Sequence, residues 1–379
     1  MGVLEISVKT ILYIGNYNEK YSRNWIILRA LKINGIKVYT LNFRNTSKKK
    51  MIYSIIKNLK ILNSVQIDLI YFFSVTPRDW PLFLMTKFYS KYRKIPMVYD
   101  YFISKFQTFY EDRELFSRKN KIFKVFKYIF LYSLDYFECL LSNSVVLDTD
   151  THIEYFNRKY KLTKKKFVKI FVGARDDIYF PLNIKEKNDD KFIVGYWGTF
   201  IPLHGVEYII KAFELLKNES DIYLSLLGKG QTYETNKELA ERLKIKNIEF
   251  IPKIFMTSKE LNKLPEFIAK FDLGLGIFGN TNKMLQVVPN KVYEGIAMKL
   301  PMITANTPAI REEFTDNKDI ILCDRANPES LAKSIIRLKN NEALRKKIAN
   351  GGYLLYKKLF SIDKIGLDLV NILNEILTK

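Results

Sequence analysis

In the run VVPNKVYEGIAMKLP, Val287 to Pro301, Pro289, Asn290 and Lys291 stand ahead of a helical pattern, and Glu294 follows Lys291 by almost one turn. A proline suits the first turn of a helix, where its missing N–H costs nothing. The other N–H groups of that turn lack helical partners and sit at the positive end of the dipole. They can therefore receive an anion such as a diphosphate. Lys291 adds a point charge. Glu294, near the same helix face, offers a carboxylate able to accept from two hydroxyls. A second group of residues points the same way. Gly198 and Gly205 bracket the loop GTFIPLHG, and glycine lets backbone approach a phosphate where a Cβ would block it.

The elements that must position these residues alternate between strand and helix. Buried-strand runs stand at Thr10–Ile14, from Lys37, at Leu69–Phe73, Met97–Asp100 and Ser144–Leu147. A second series stands at Phe192–Trp197, Ile222–Leu227, Ile248–Ile251, Leu273–Phe278, Pro301–Thr304 and Ile320–Cys323. Helical spacing fills the gaps, from Trp25–Ile33 in the first half to Ile362–Leu377 at the end. Strands alternating with helices imply an α/β chain of parallel sheets built from βαβ units. The polar segment KEKNDDK, Lys185 to Lys191, reads as a linker. It predicts two Rossmann-like domains, residues 1–184 and 185–361, with the helix of residues 362–379 packing back on the first. Such domains bind ligands at the carboxyl ends of their strands, usually in the cleft between them.

The segment from Phe271 to Glu312, centred on VVPNKVYEGIAMKLP, closely resembles the donor site of glycosyltransferase family 4, of the GT-B fold. Gly195 to Phe213, GYWGTFIPLHGVEYIIKAF, resembles that family's glycine-rich loop and following helix. The resemblance covers nearly all of the C-terminal half. The N-terminal half matches through the order of its elements, the loop GNYN at Gly15–Asn18 and DTDTHIEYF at Asp148–Phe156. The resemblance implies a retaining transferase that uses a UDP- or GDP-linked sugar, without a cofactor or a catalytic metal. Glu294 would take the ribose hydroxyls. Gln286 stands where the family often has a second glutamate touching the donor sugar, eight positions before Glu294. Thr199 and His204 stand where it often has an arginine and a lysine, so Lys283 and Lys291 are expected to supply the positive charge. Gly15 would bring backbone near the donor phosphates. Asp100, ending its strand run, is the candidate catalytic residue, and Asp112 with Arg113 are acceptor-side candidates. His152, in a helix-like segment, reads as structural.

Charge adds a separate expectation. The chain of 379 residues carries a net charge of +22. Residues 1–180 hold 32 Lys+Arg and 15 Asp+Glu, a net of +17, which leaves +5 for the rest. An anionic partner for the first half follows: a membrane leaflet, a phosphorylated or lipid-linked acceptor, or nucleic acid. No recognition motif favours nucleic acid, and none is expected as a partner. The stretch Asn120 to Leu141 interleaves aromatics with lysines, a pattern that can enter a membrane surface. No secretory signal or spanning segment is expected, and two cysteines and two histidines make a disulfide framework or a metal site improbable. Together with the resemblance, which implies a transferase of surface polysaccharide or glycoconjugate synthesis, these features predict a cytoplasmic enzyme, peripheral on the inner membrane face. A nucleotide-sugar 2-epimerase on the same fold and a basic nucleic-acid-binding protein are the rival readings.

Overall fold

The computed structural model describes residues 7–44, 46, 64–113, 121–182, 191–252 and 261–378. The chain divides into two compact units, Met1–Phe171 with Ile362–Lys379, and Val172–Ser361. Residues 185–190 of the expected linker lie outside the described residues.

The first unit holds β1 (Thr10–Gly15), β2 (Lys37–Asn42), β3 (Leu69–Phe73), β4 (Met97–Asp100), β5 (Ser144–Leu147) and β6 (Phe167–Lys169). All pair in parallel, in the order β2-β1-β3-β4-β5-β6. β3 is buried throughout its LIYFF run, as a central parallel strand covered on both faces must be. Edge strand β2 has no fully buried residue and leaves Lys37, Thr40 and Asn42 exposed. Its helices are α1 (Ser22–Ile33), α2 (Trp80–Arg93), α3 (Lys121–Leu141) and α4 (Asp150–Tyr160).

The second unit repeats the plan with β7 (Phe192–Trp197), β8 (Ile222–Leu227), β9 (Ile248–Ile251), β10 (Leu273–Leu275), β11 (Met302–Ala305) and β12 (Ile321–Cys323). The order is β12-β11-β10-β7-β8-β9, again parallel throughout. Its helices are α5 (Val206–Leu215), α6 (Tyr233–Arg242), α7 (Leu264–Ile268), α8 (Asn290–Ala297), α9 (Pro308–Arg311), α10 (Pro328–Lys339) and α11 (Glu342–Leu355). Chain order reverses at the β7–β10 pair, the switch point at whose carboxyl ends such sheets bind ligands.

α12 (Ile362–Leu377) belongs to the first unit. Ile365, Leu369 and Leu373 join Ile27, Ala30 and Leu31 of α1 in one buried cluster. Asn374 Oδ1 accepts from the Val8 N–H at 3.1 Å, tying the helix to the chain entering β1.

Two expectations shift. The strand expected to run from Leu273 to Phe278 ends at Leu275, because the chain beyond it closes against the loop from β7. β6, three residues after a lysine-rich turn, was not expected.

Candidate functional site

The crevice of the second unit is built by two loops pressed together. The loop after β7 runs through a short turn, Pro202–His204, into α5. The loop after β10 passes through another turn, Asn282–Gln286, and ends at α8. The two turns lie side by side, and the Phe278 N–H donates to the His204 carbonyl at 3.0 Å. Gly205 is what allows this approach. Its φ is +62°, and a Cβ there would lie 2.3 Å from Gly279 N and 2.5 Å from the Phe278 carbonyl carbon. Gly205 also caps α5, and Pro289 caps α8, one position earlier than expected. Neither cap gives a side-chain hydrogen bond, so both helices present their first N–H groups without one.

The sequence-predicted residues meet at these two helix ends. Lys291 is buried, its Nζ 3.9 Å from the centre of the Tyr196 ring and 3.4 Å from His204 Nδ1. Tyr196 hydroxyl lies 2.8 Å from the same His204 nitrogen and 3.1 Å from the Thr199 carbonyl. A Cβ on Gly198 would stand 3.3 Å from the Lys291 ammonium, so the bare backbone of that glycine forms a wall beside the charge. Glu294, also buried, accepts from Trp197 Nε1 at 2.7 Å and from the Tyr179 hydroxyl. Trp197 ends β7, and its indole sets the carboxylate at the mouth of the central strands.

Burial pushes the Lys291 amine well below its ordinary value, with Glu294 pulling it back up. Burial also pushes the Glu294 carboxyl up, against the hydrogen bond from Trp197, the Lys291 charge and the Tyr179 hydroxyl. Both shifts have one leading cause, burial of a charged group away from water. An entering dianion would restore to Lys291 the opposite charge that burial denies it.

Lys283 and Gln286 are buried in the turn Asn282–Gln286, beside the His204 turn. Gln286 Nε2 donates to the Asn282 carbonyl at 3.3 Å. Asn290 opens α8 and Thr199 is exposed beside Gly198. Two residues that the sequence did not single out, Trp197 and Tyr179, hold Glu294. The visible signal for Trp197 was a tryptophan ending a strand directly before Gly198. Tyr179 carried none.

The remaining candidates belong to the first unit. Gly15 pairs with Phe73 at the end of β1, and a Cβ on it would stand 1.9 Å from the Phe73 carbonyl oxygen, so the sheet itself requires glycine. Asp100 ends β4 and is fully buried. Arg23 Nε donates to its Oδ2 at 2.9 Å and the Tyr71 hydroxyl at 2.7 Å, while Arg23 also reaches the Ile170 and Phe171 carbonyls. These contacts make Asp100 an anchor for α1 against the sheet. Asp112 ends a π-helical turn, Gln107–Asp112, and is buried, Arg113 following it half-buried. Neither side chain is free. His152 lies between Asp148, at 2.8 Å from Nδ1, and Gln107, at 3.1 Å from Nε2, all three buried.

Residues 182–354 match the model of the family described as glycosyl transferases group 1. An uncharacterized glycosyltransferase of Methanocaldococcus jannaschii is 25% identical over 208 residues, 53% of this chain and 51% of the relative. A capsular polysaccharide biosynthesis glycosyltransferase, CapM of Staphylococcus aureus, is 20% identical over 268 residues, 67% of each chain. The chain thus spans about half the length of the first of these relatives and two thirds of the second. Among solved structures, HepE of Anabaena in complex with UDP-glucose superposes with a TM-score of 0.68 at 13% identity, over 97% of this chain and 99% of that one. The chain thus shares the fold of this GT-B structure along nearly its whole length, and its second unit is similar to the glycosyl transferases group 1 family.

Proposed function

We propose that the protein transfers a sugar from a UDP- or GDP-linked donor to a glycan or lipid-linked acceptor in surface polysaccharide or glycoconjugate synthesis, with retention at the anomeric carbon. The observation that carries this reading is the pairing of Lys291 with Glu294 at the open end of α8, against the backbone of Gly198. Cation and carboxylate stand there as a diphosphate joined to a ribose would need them.

In this reading the diphosphate lies against the first N–H groups of α8 and α5, with Lys291 and Lys283 neutralising it. Glu294, fixed by Trp197 and Tyr179, accepts from the ribose hydroxyls. Gln286 serves the donor sugar through its amide. As the glycosidic bond breaks, negative charge grows on the leaving diphosphate. Fixed amides and ammonium groups stabilise it without reorganising at that moment. Exclusion of water then favours the acceptor hydroxyl over hydrolysis. The donor class is supported by HepE, whose complexes hold UDP and UDP-glucose, and the pathway by CapM. The first unit's share is the acceptor, on its excess of positive charge, and that charge also supports peripheral association with a membrane. Among the described residues no helix is long and apolar enough to cross one.

Incubating the protein with a panel of UDP- and GDP-sugars and measuring released nucleoside diphosphate tests the proposal. Turnover of at least one donor is expected. No turnover or binding of any donor would remove it.

A further inference from the structure

α3 is half inside the protein and half unaccounted for. One stripe, Leu131, Leu134, Asp135, Glu138 and Cys139, is buried. The opposite stripe, at helical spacing, is apolar and bare: Ile122 is 80% exposed, Phe126 67% and Ile129 57%, with Phe137 and Leu140 continuing it. Val125 and Phe130 widen the face. α2 packs against α3 and adds Phe88 at 76% and Tyr92 at 73% exposure. Monomeric proteins seldom leave so many large apolar side chains contiguous in water.

The surroundings of this face are cationic. Lys87 of α2 reaches the Asn143 side chain at 3.2 Å, just past the end of α3. Lys166 reaches the Leu140 carbonyl at 2.7 Å from the other side. After burial, the Lys166 and then the Lys91 charge push the Lys87 amine below its ordinary value. An anionic surface would offset that repulsion at Lys87. A second copy of this face would bring cations against cations, and like charges in an interface are penalised. Aromatic rings with a lysine rim are what the polar–apolar boundary of a lipid leaflet accommodates.

We propose that α3, with the outer face of α2, is the surface by which the protein docks on an anionic phospholipid leaflet. Phe126, Ile129 and Phe130 enter the headgroup–acyl boundary, while Lys87, Lys91 and Lys166 meet the phosphates. The inference rests on the peripheral association proposed above and assigns it to one helix pair. α3 lies along the interface rather than through it, because its buried stripe stays in the core cluster of the unit.

The test is co-sedimentation of the full chain with phosphatidylcholine vesicles and with vesicles one-third phosphatidylglycerol, at low and high salt. The wild type is expected to prefer the anionic vesicles by about tenfold or more at low salt, and to lose the preference as salt rises. Phe126→Ser with Ile129→Ser, at two exposed positions and with the fold checked by circular dichroism, should lower binding about tenfold or more. Lys87→Glu with Lys91→Glu should remove the preference for anionic lipid. If the wild type binds and the Phe126/Ile129 variant binds equally, this face is not the docking surface, although the peripheral association stands. If the wild type binds neither vesicle, both fail, and donor turnover remains the separate test of the enzyme. A wild-type dimer by light scattering that the Phe126/Ile129 variant turns into monomer would make the occupant a second copy and overturn the proposal.

Discussion

Lys291 and Asp100 are both charged, both buried and both bonded within the protein, yet their surroundings differ. Lys291 lies over an aromatic ring and beside a histidine, at a helix end whose N–H groups also seek an anion. Its folded proton affinity lies below the ordinary 10.5 because burial disfavours the ammonium. Between those two values the unfolded chain holds the proton and the folded chain does not, so stability rises as pH climbs through that window. A bound diphosphate favours the ammonium, so donor binding takes up a proton there and weakens as pH rises. In Lys291→Met the extra gain in urea midpoint toward alkaline pH should vanish, as should the alkaline fall in nucleotide affinity. Asp100 faces Arg23 and Tyr71. Asp100→Asn should therefore leave a buried guanidinium uncompensated and cost about 3–5 kcal/mol in urea denaturation. Full stability with a collapsed kcat would instead restore Asp100 as a catalytic residue.

At the scale of elements, the close contact of the β7 and β10 loops holds the site together. Gly205→Ala would force both left-handed backbone and a clash with Gly279, and should cost at least about 2 kcal/mol and abolish nucleotide binding. Gly35 has φ +76° with nothing within 4 Å of its would-be Cβ, so Gly35→Ala should cost only about 1 kcal/mol and spare binding. Thermal melts with and without UDP separate the two. The strands were legible where apolar runs ended in glycine or polar turns: β3, β4, β5, β7, β8 and β9 fall where the sequence places them. β6 was not, because FVK has three residues, follows three lysines, and is recruited by pairing with β5 rather than by its own pattern. The donor-site helix was legible because proline, lysine and glutamate carry their spacing along one turn. The partners of Glu294 were not, since Trp197 and Tyr179 lie 97 and 115 positions away and only the fold brings them together.

For the whole molecule, the donor chemistry is proposed for the second unit, while the chain's last helix packs into the first. Leu369 is fully buried among residues of α1, so Leu369→Ala should cost about 2–5 kcal/mol, read from chemical denaturation, although it lies over 300 residues from its partners. The pattern of Ile362–Leu377 shows an amphipathic helix but not which core it completes. The division of charge, +17 in residues 1–180 against +5 beyond, is a property of the molecule that no single site explains. The central claim, that the second unit holds a nucleotide diphosphate through Lys291 and Glu294, is tested most directly by titration calorimetry of the full chain with UDP and GDP. Glu294→Gln keeps the side-chain volume and an acceptor for Trp197 but removes the charge that takes the ribose hydroxyls. The account predicts that the wild type binds UDP or GDP and that Glu294→Gln weakens binding by about 1.5–3 kcal/mol, with the fold retained. Failure of the wild type to bind either nucleotide, or equal affinity in the folded variant, would contradict it.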